Sequence, residues 1–272
     1  MVPFENILVP VDFSDRSMAA AYQVETLAHH FHSKVTVLHV VDPQEQNYGH
    51  FEPGGARVHE FGTLLAGYST RASITEIMRD GDPAQTILDF TTANHMDLIV
   101  MASHGFSPFY SFLMGSVAAE VLREANCPVW IDAHAQQGPP PRFRNILCAA
   151  DFDPTGPSVV DAAAQFAAAF MARLFVVHIF PSLEPTMGLQ FPDEWLSQAD
   201  REAIRDIEKR LGTQDQTILA GGDVPEAICR RAKELHADLL VIGRSPKAND
   251  VGVARTTSFT IARESPCPVL SI

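Results

Sequence analysis

The chain is written twice. Asn6-Ile-Leu-Val-Pro-Val-Asp12-Phe13 recurs as Asn145-Ile-Leu-Cys-Ala-Ala-Asp151-Phe152, an offset of 139. Gly81-Asp82-Pro83 recurs, with one residue inserted before the proline, as Gly222-Asp223-Val224-Pro225, and Asp97-Leu-Ile-Val recurs as Asp238-Leu-Leu-Val, both at an offset of 141. Cys127-Pro128-Val129 recurs as Cys267-Pro268-Val269 at an offset of 140. Four matches in one order at nearly constant spacing describe a duplicated domain, because the unit is far longer than a solenoid repeat. The 272 residues agree, since domains hold ~100–200 residues each. The reading is residues 1–134, a polar and proline-rich linker at 135–141, and residues 142–272.

Within each unit, short apolar runs alternate with helical patterns. Unit one has runs at 7–11, 35–41, 74–78, 98–102 and 129–131. Unit two has them at 146–150, 174–180, 217–220, 239–243 and 269–272. They are apolar on successive positions, as strands buried on both faces are. Between them lie helix signals. Ser14 caps a pattern whose apolar stripe is Met18, Ala21, Val24, Ala28 and Phe31. Asp82 caps a second helix with Pro83 at its first position, and Pro225 repeats the device. A helix is expected over 193–211, with a weaker, glycine-bearing counterpart near 57–68 after a loop at 43–55. Alternating β and α elements require an α/β fold: two repeated doubly wound domains, each a parallel sheet with helices on both faces. Such sheets bind ligands beyond the carboxyl ends of the strands, where the strand order reverses.

Charge narrows the ligand classes. The formal net charge is −13, divided as −10 over residues 1–138 and −3 over 139–272. An acidic surface argues against nucleic acid and against an anionic membrane. No apolar run reaches the ~18 residues of a membrane span. The N-terminus has no signal-peptide pattern and meets Asp12 early, so a cytoplasmic location is expected. Cys127, Cys148, Cys229 and Cys267 are widely spaced, and the sequence contains no CxxC, which suits buried thiols in a reducing compartment. An anion held by the acidic first half must be held by backbone N–H groups and a helix end. Gly115-Ser116 precedes the helical pattern Val117, Val121, Leu122 and is placed for that work. Gly105 permits close backbone approach.

His29-His30-x-His32 suggests a metal, but adjacent helix histidines point to different faces, which favours a solvated helix end. His39 and His178 are matched strand residues and read as satisfied core histidines. The aromatic stretch 106–114 is either a partner-facing segment or packing on the sheet edge. No Walker lysine motif, HExxH or GxSxG is present.

The motifs resemble those of tandem universal stress proteins over both units nearly end to end. The carriers are Asn6-Ile-Leu-Val-Pro-Val-Asp-Phe-Ser14, Leu38-His-Val-Val41, Gly81-Asp-Pro83, Asp97-Leu-Ile-Val-Met-Ala-Ser-His-Gly105, Leu113-Met-Gly-Ser-Val117 and Cys127-Pro-Val129. ATP-binding members carry Gly-x2-Gly-x9-Gly-(Ser/Thr); here Ala102 takes the first position, while Gly105, Gly115 and Ser116 match the rest. The resemblance implies strand order 3-2-1-4-5 in each unit and packing of the units as a pseudo-twofold pair through their last strands. It implies that Pro10, Val11, Asp12 and Val40 border the adenosine of ATP, and that Met101 and Ala102 lie against the ribose. Gly105, Gly115, Ser116 and Val117 would hold the phosphates, with Mg or Mn as accompanying cation. Unit two departs from the pattern, with Pro246 and Arg255 where Gly105 and Gly115 stand. One nucleotide per chain is therefore expected, in a regulatory stress-response module that is at most a slow ATPase. The alternative is a protein-interaction scaffold without nucleotide. The protein partner and any further homodimer stay open.

Overall fold

A computed structural model describes residues 3–42, 58–59, 62–63, 73–103, 114–132, 142–151, 156–180, 196–211, 217–244 and 253–272. The chain divides into two compact units, Met1–Pro141 and Arg142–Ile272. The expected linker at 135–141, the loop at 43–55, most of the weak helix near 57–68, and Gly105 and Pro246 lie outside the described residues.

Unit one contains strands β1 (Asn6–Pro10), β2 (Lys34–Val41), β3 (Ser73–Asp80), β4 (Leu98–Ala102) and β5 (Val129–Asp132). Its helices are α1 (Asp15–Phe31), α2 (Pro83–Ala93) and α3 (Ser116–Glu124). Unit two contains β6 (Asn145–Ala149), β7 (Arg173–Phe180), β8 (Thr217–Gly221), β9 (Leu239–Ile242) and β10 (Val269–Ser271). Its helices are α4 (Gly156–Phe170), α5 (Gln198–Leu211), α6 (Val224–Glu234) and α7 (Val253–Glu264). The pairings are parallel in both units. The strand order is β3-β2-β1-β4-β5 in the first unit and β8-β7-β6-β9-β10 in the second. Each unit thus reverses direction beside its first strand, between β1 and β4 and between β6 and β9.

The apolar runs became the central strands because both faces are covered. All five residues of β4 are buried, and so are all four of β9. The capping signals act as the spacing predicts. Ser14 Oγ accepts from Ser17 N at 3.3 Å to open α1. Asp82 accepts from Gln85 N at 2.8 Å and Asp223 from Glu226 N at 3.1 Å. The glycine before each of these aspartates has a positive φ, +145° at Gly81 and +120° at Gly222, a region that side chains avoid. The helix expected over 193–211 begins later, at Gln198. Ser197 Oγ accepts from Asp200 N at 3.1 Å while Asp200 Oδ2 accepts from Ser197 N at 2.8 Å, and this reciprocal cap fixes the start.

Two further devices are duplicated between the units, each joining residues far apart in the chain. Phe4 meets Phe31 edge to face at 5.6 Å, and the matched Phe143 meets Phe170 at 4.9 Å. Each pair packs the lead-in to the first strand against the last turn of the first helix. Asp97 Oδ2 accepts from the amides of Glu5 and Asn6 at 2.9 and 2.8 Å. Asp238 Oδ2 accepts from those of Arg144 and Asn145 at 2.7 and 2.9 Å. These carboxylates clamp the start of the first strand to the start of the fourth, which sets the register of the strands that end at the switch point.

Candidate nucleotide-site geometry

In unit one, the segment after β1 is held tightly. Val11 N donates to Leu38 O at 2.9 Å. Asp12 Oδ1 accepts from Ser14 N at 3.0 Å and from Ser14 Oγ at 2.7 Å. Between them Phe13 adopts φ +62°, which is uncommon for a bulky residue and costs of order 1–3 kcal/mol. Packing sustains it: Phe13 is buried, and its ring centre lies 4.5 Å from that of His39. The Nδ1 of His39 bonds Val11 O at 2.8 Å, so the ring closes on both sides of Asp12. His39 is half-buried and satisfied, as its position on an apolar strand suggested. Its contact with the segment before Asp12 was not legible, because β2 is far from it in sequence.

Pro10 and Val40 are half-buried, Val11, Met101 and Ala102 are buried, and Asp12 is exposed. After β4, Ser103 N donates to Asp132 O at 3.3 Å and Gly115 N donates to Ser103 O at 2.9 Å. The start of α3 is thereby tied to the end of β4. Gly115, in extended conformation (φ −59°, ψ 144°), precedes the helix and offers no side-chain cap. The intrahelical ladder opens with Ala119 N donating to Gly115 O at 2.9 Å. The amides of Ser116, Val117 and Ala118 therefore precede the ladder and carry the positive end of the helix dipole. Ser116 is exposed and Val117 half-buried.

Unit two holds a cleft of about 200 Å³ at its own switch point. Seven of its lining residues occupy positions that match predicted site residues of unit one. Ala149, Ala150 and Asp151 match Pro10, Val11 and Asp12; Ile179 matches Val40; Ile242 and Gly243 match Met101 and Ala102; Thr257 matches Val117. His178 repeats the bond of His39, its Nδ1 lying 2.9 Å from Ala150 O. Burial pushes the His178 imidazole below its ordinary range, against the opposing pull of that bond and of the Asp151 and Asp200 carboxylates. The helices differ. At an offset of 140, Ser116 corresponds to Thr256, which lies three residues inside a helix that already starts at Val253. The amides at 256 and 257 thus fall within the hydrogen-bonded ladder rather than ahead of it.

A groove of about 340 Å³ lies elsewhere on unit one, lined by Gln85, Asp89, Thr92, Glu120, Arg123 and Glu124 among others. It is larger, but its cation is committed: Arg123 pairs with Glu124 at 2.7 Å and approaches Glu120 at 3.9 Å. The strand ends, with buried walls and amides ahead of a helix, have the better chemistry for a ligand. The histidines at the end of α1 are exposed, with His32 in the left-handed region as the cap. Among the described residues no group of three His, Cys, Asp or Glu side chains is placed to hold a metal. The four cysteines are buried thiols that form no disulfide; burial raises the Cys148 thiol to about 12 and the Cys229 thiol to about 11. No helix of the described residues is long and apolar enough to cross a membrane.

The model of the universal stress protein family matches residues 3–132 and again 142–272. A universal stress protein of Mycobacterium tuberculosis is 25% identical over 91% of this chain and 90% of its own length. One from Methanocaldococcus jannaschii is 29% identical over 47% of this chain and 81% of its own. Among solved structures, a putative universal stress protein from Pseudomonas aeruginosa superposes with a TM-score of 0.75 at 21% identity, over 99% of this chain and 93% of that one. Another from Archaeoglobus fulgidus gives 0.74 at 20% identity, over 98% and 95%. At these identities the structural matches speak for the fold.

Proposed function

Since the chain belongs to the universal stress protein family, we propose that it is a nucleotide-dependent regulatory module of the stress response, binding one ATP in unit one with slow or no hydrolysis. The observation that carries this reading is the start of α3, where the amides of Ser116, Val117 and Ala118 stand ahead of the helical ladder beside the end of β4. Such a helix start receives phosphate without basic side chains, which suits a unit as acidic as this one. In this reading Gly105, Gly115, Ser116 and Val117 hold the phosphates. Met101 and Ala102 form the wall against the ribose, and Pro10, Val11, Asp12 and Val40 border the adenosine. The engagement of Asp12 Oδ1 with Ser14 keeps the carboxylate in one place, so that contact with the adenosine costs little side-chain entropy. A divalent cation, Mg or Mn, would arrive with the phosphates and offset their charge.

The competing reading is an interaction scaffold without nucleotide, and the altered helix start in unit two is the observation in its favour. Mass spectrometry of the protein released from denaturation separates the two. Retained adenine nucleotide at one equivalent per chain, with calorimetric binding of added ATP after stripping, is the expected result. Absence of both retention and binding would leave the scaffold.

A further inference from the structure

We propose that the cleft of unit two is a separate binding site for a compact apolar molecule carrying an ammonium or similar N–H donor group. The proposal goes beyond nucleotide binding by unit one and does not depend on it.

The walls come first. Ile179, Ile228, Ile242 and Ile261 are among the lining residues, together with alanine and valine side chains. About 200 Å³ is below the ~300–1,000 Å³ of sites for drug-sized ligands. It suffices for a smaller body, since a ~150 Å³ apolar cavity accommodates benzene.

Charge and polarity then choose the head group. Asp151 is the one ionisable side chain among the described lining residues, and it sits exposed at the carboxyl end of β6. The positions that are Val117 and Ala118 in unit one are Thr257 and Ser258 here, so two hydroxyl groups join the lining where unit one has aliphatic side chains. An anion gains little at this place, because α7 starts at Val253 and the amides that would face it are already inside the ladder. A carboxylate and two hydroxyl oxygens over an aliphatic floor complement a donor-bearing, positively charged head on an apolar body.

The test uses the full chain with labelled isoleucine, valine and methionine methyl groups, titrated with benzylamine, benzoate and ATP. Benzylamine at millimolar concentration should shift the methyls of Ile228, Ile242 and Ile261. Benzoate, equal in size and opposite in charge, should bind there roughly tenfold more weakly, because attraction by Asp151 becomes repulsion. Asp151→Asn should weaken benzylamine about threefold, the scale of a solvent-exposed ion pair, with the remaining methyl spectrum unchanged. Equal binding of the two probes, or no shifts at these three residues with either, would overturn the proposal. So would ATP shifting them, which would assign the cleft to nucleotide. ATP in unit one reads separately, at the methyls of Met101 and Val117, so failure of one site is distinguishable from failure of the other.

Discussion

Units one and two are built on the same frame and differ where a ligand would sit. Both clamp the first strand to the fourth with an aspartate, both open the helix after the third strand with Asp-capped turns, and both bind a histidine ring to the carbonyl before the strand-end aspartate. The helix over the switch point starts at Ser116 in one and, in matched numbering, three residues earlier in the other. Less than one turn of helix decides whether backbone amides are presented or consumed. The scaffold tolerates either outcome because its stability resides in the strands and clamps, away from that turn.

The comparison can be broken first at what the units share. Asp97→Ala and Asp238→Ala each remove two charge-assisted hydrogen bonds to backbone amides. Each should cost about 3 kcal/mol, reduced from the full value by partial exposure. Denaturant melts that show a large loss in one unit and none in the other would mean the frame is not equivalent.

Nucleotide should separate the units by nearly as much. At a hundredfold excess over Kd, ATP stabilises what binds it by ~2.7 kcal/mol. Hydrogen exchange should gain protection at 102–103 and 114–117 and little at 243–244 and 253–257. Equal protection at both would remove the asymmetry. Gly115→Arg installs the residue of unit two, Arg255, at the matched place in unit one. Loss of even one charged hydrogen bond to phosphate costs ~1.5–3 kcal/mol, so calorimetry should find ATP affinity reduced more than tenfold. Unchanged affinity would move the phosphates elsewhere.

Smaller effects sharpen the picture. Asp82→Ala and Asp223→Ala should each lower stability by ~1 kcal/mol through loss of a helix cap, with similar values in the two units. The pH response of unit two depends on His178, whose half-buried imidazole titrates below its ordinary 6.5. Between that value and its own lower one, the unfolded chain binds the proton and the folded chain does not, so stability falls as pH drops through the ordinary value. His178→Gln should flatten that slope in unit two while keeping a donor for Ala150 O. Protection of unit-two amides that falls off identically toward acid in wild type and variant would assign the acid sensitivity to another group.

By itself the sequence determined the duplication, the α/β class, and the approximate place of the strands and most helices. Those follow from short-range physics: apolar runs of strand length, caps one turn from their amides, and glycine where φ is positive. It also placed Gly115-Ser116 at a helix start, because the turn and the apolar spacing are adjacent in the chain. Tertiary structure decided the rest. The start of α5 at Gln198 was set by a reciprocal Ser197–Asp200 cap inside a pattern that reads as helix from further upstream. The ring of His39 on the Asp12 segment, the Asp97 and Asp238 clamps and the Phe4–Phe31 pair join residues tens of positions apart, which only sheet pairing brings together. The cleft of unit two was invisible for the same reason. Its walls come from β6, β7, β9, α6 and α7, and the sequence shows the substitutions at Thr257 and Ser258 without showing that they line one space.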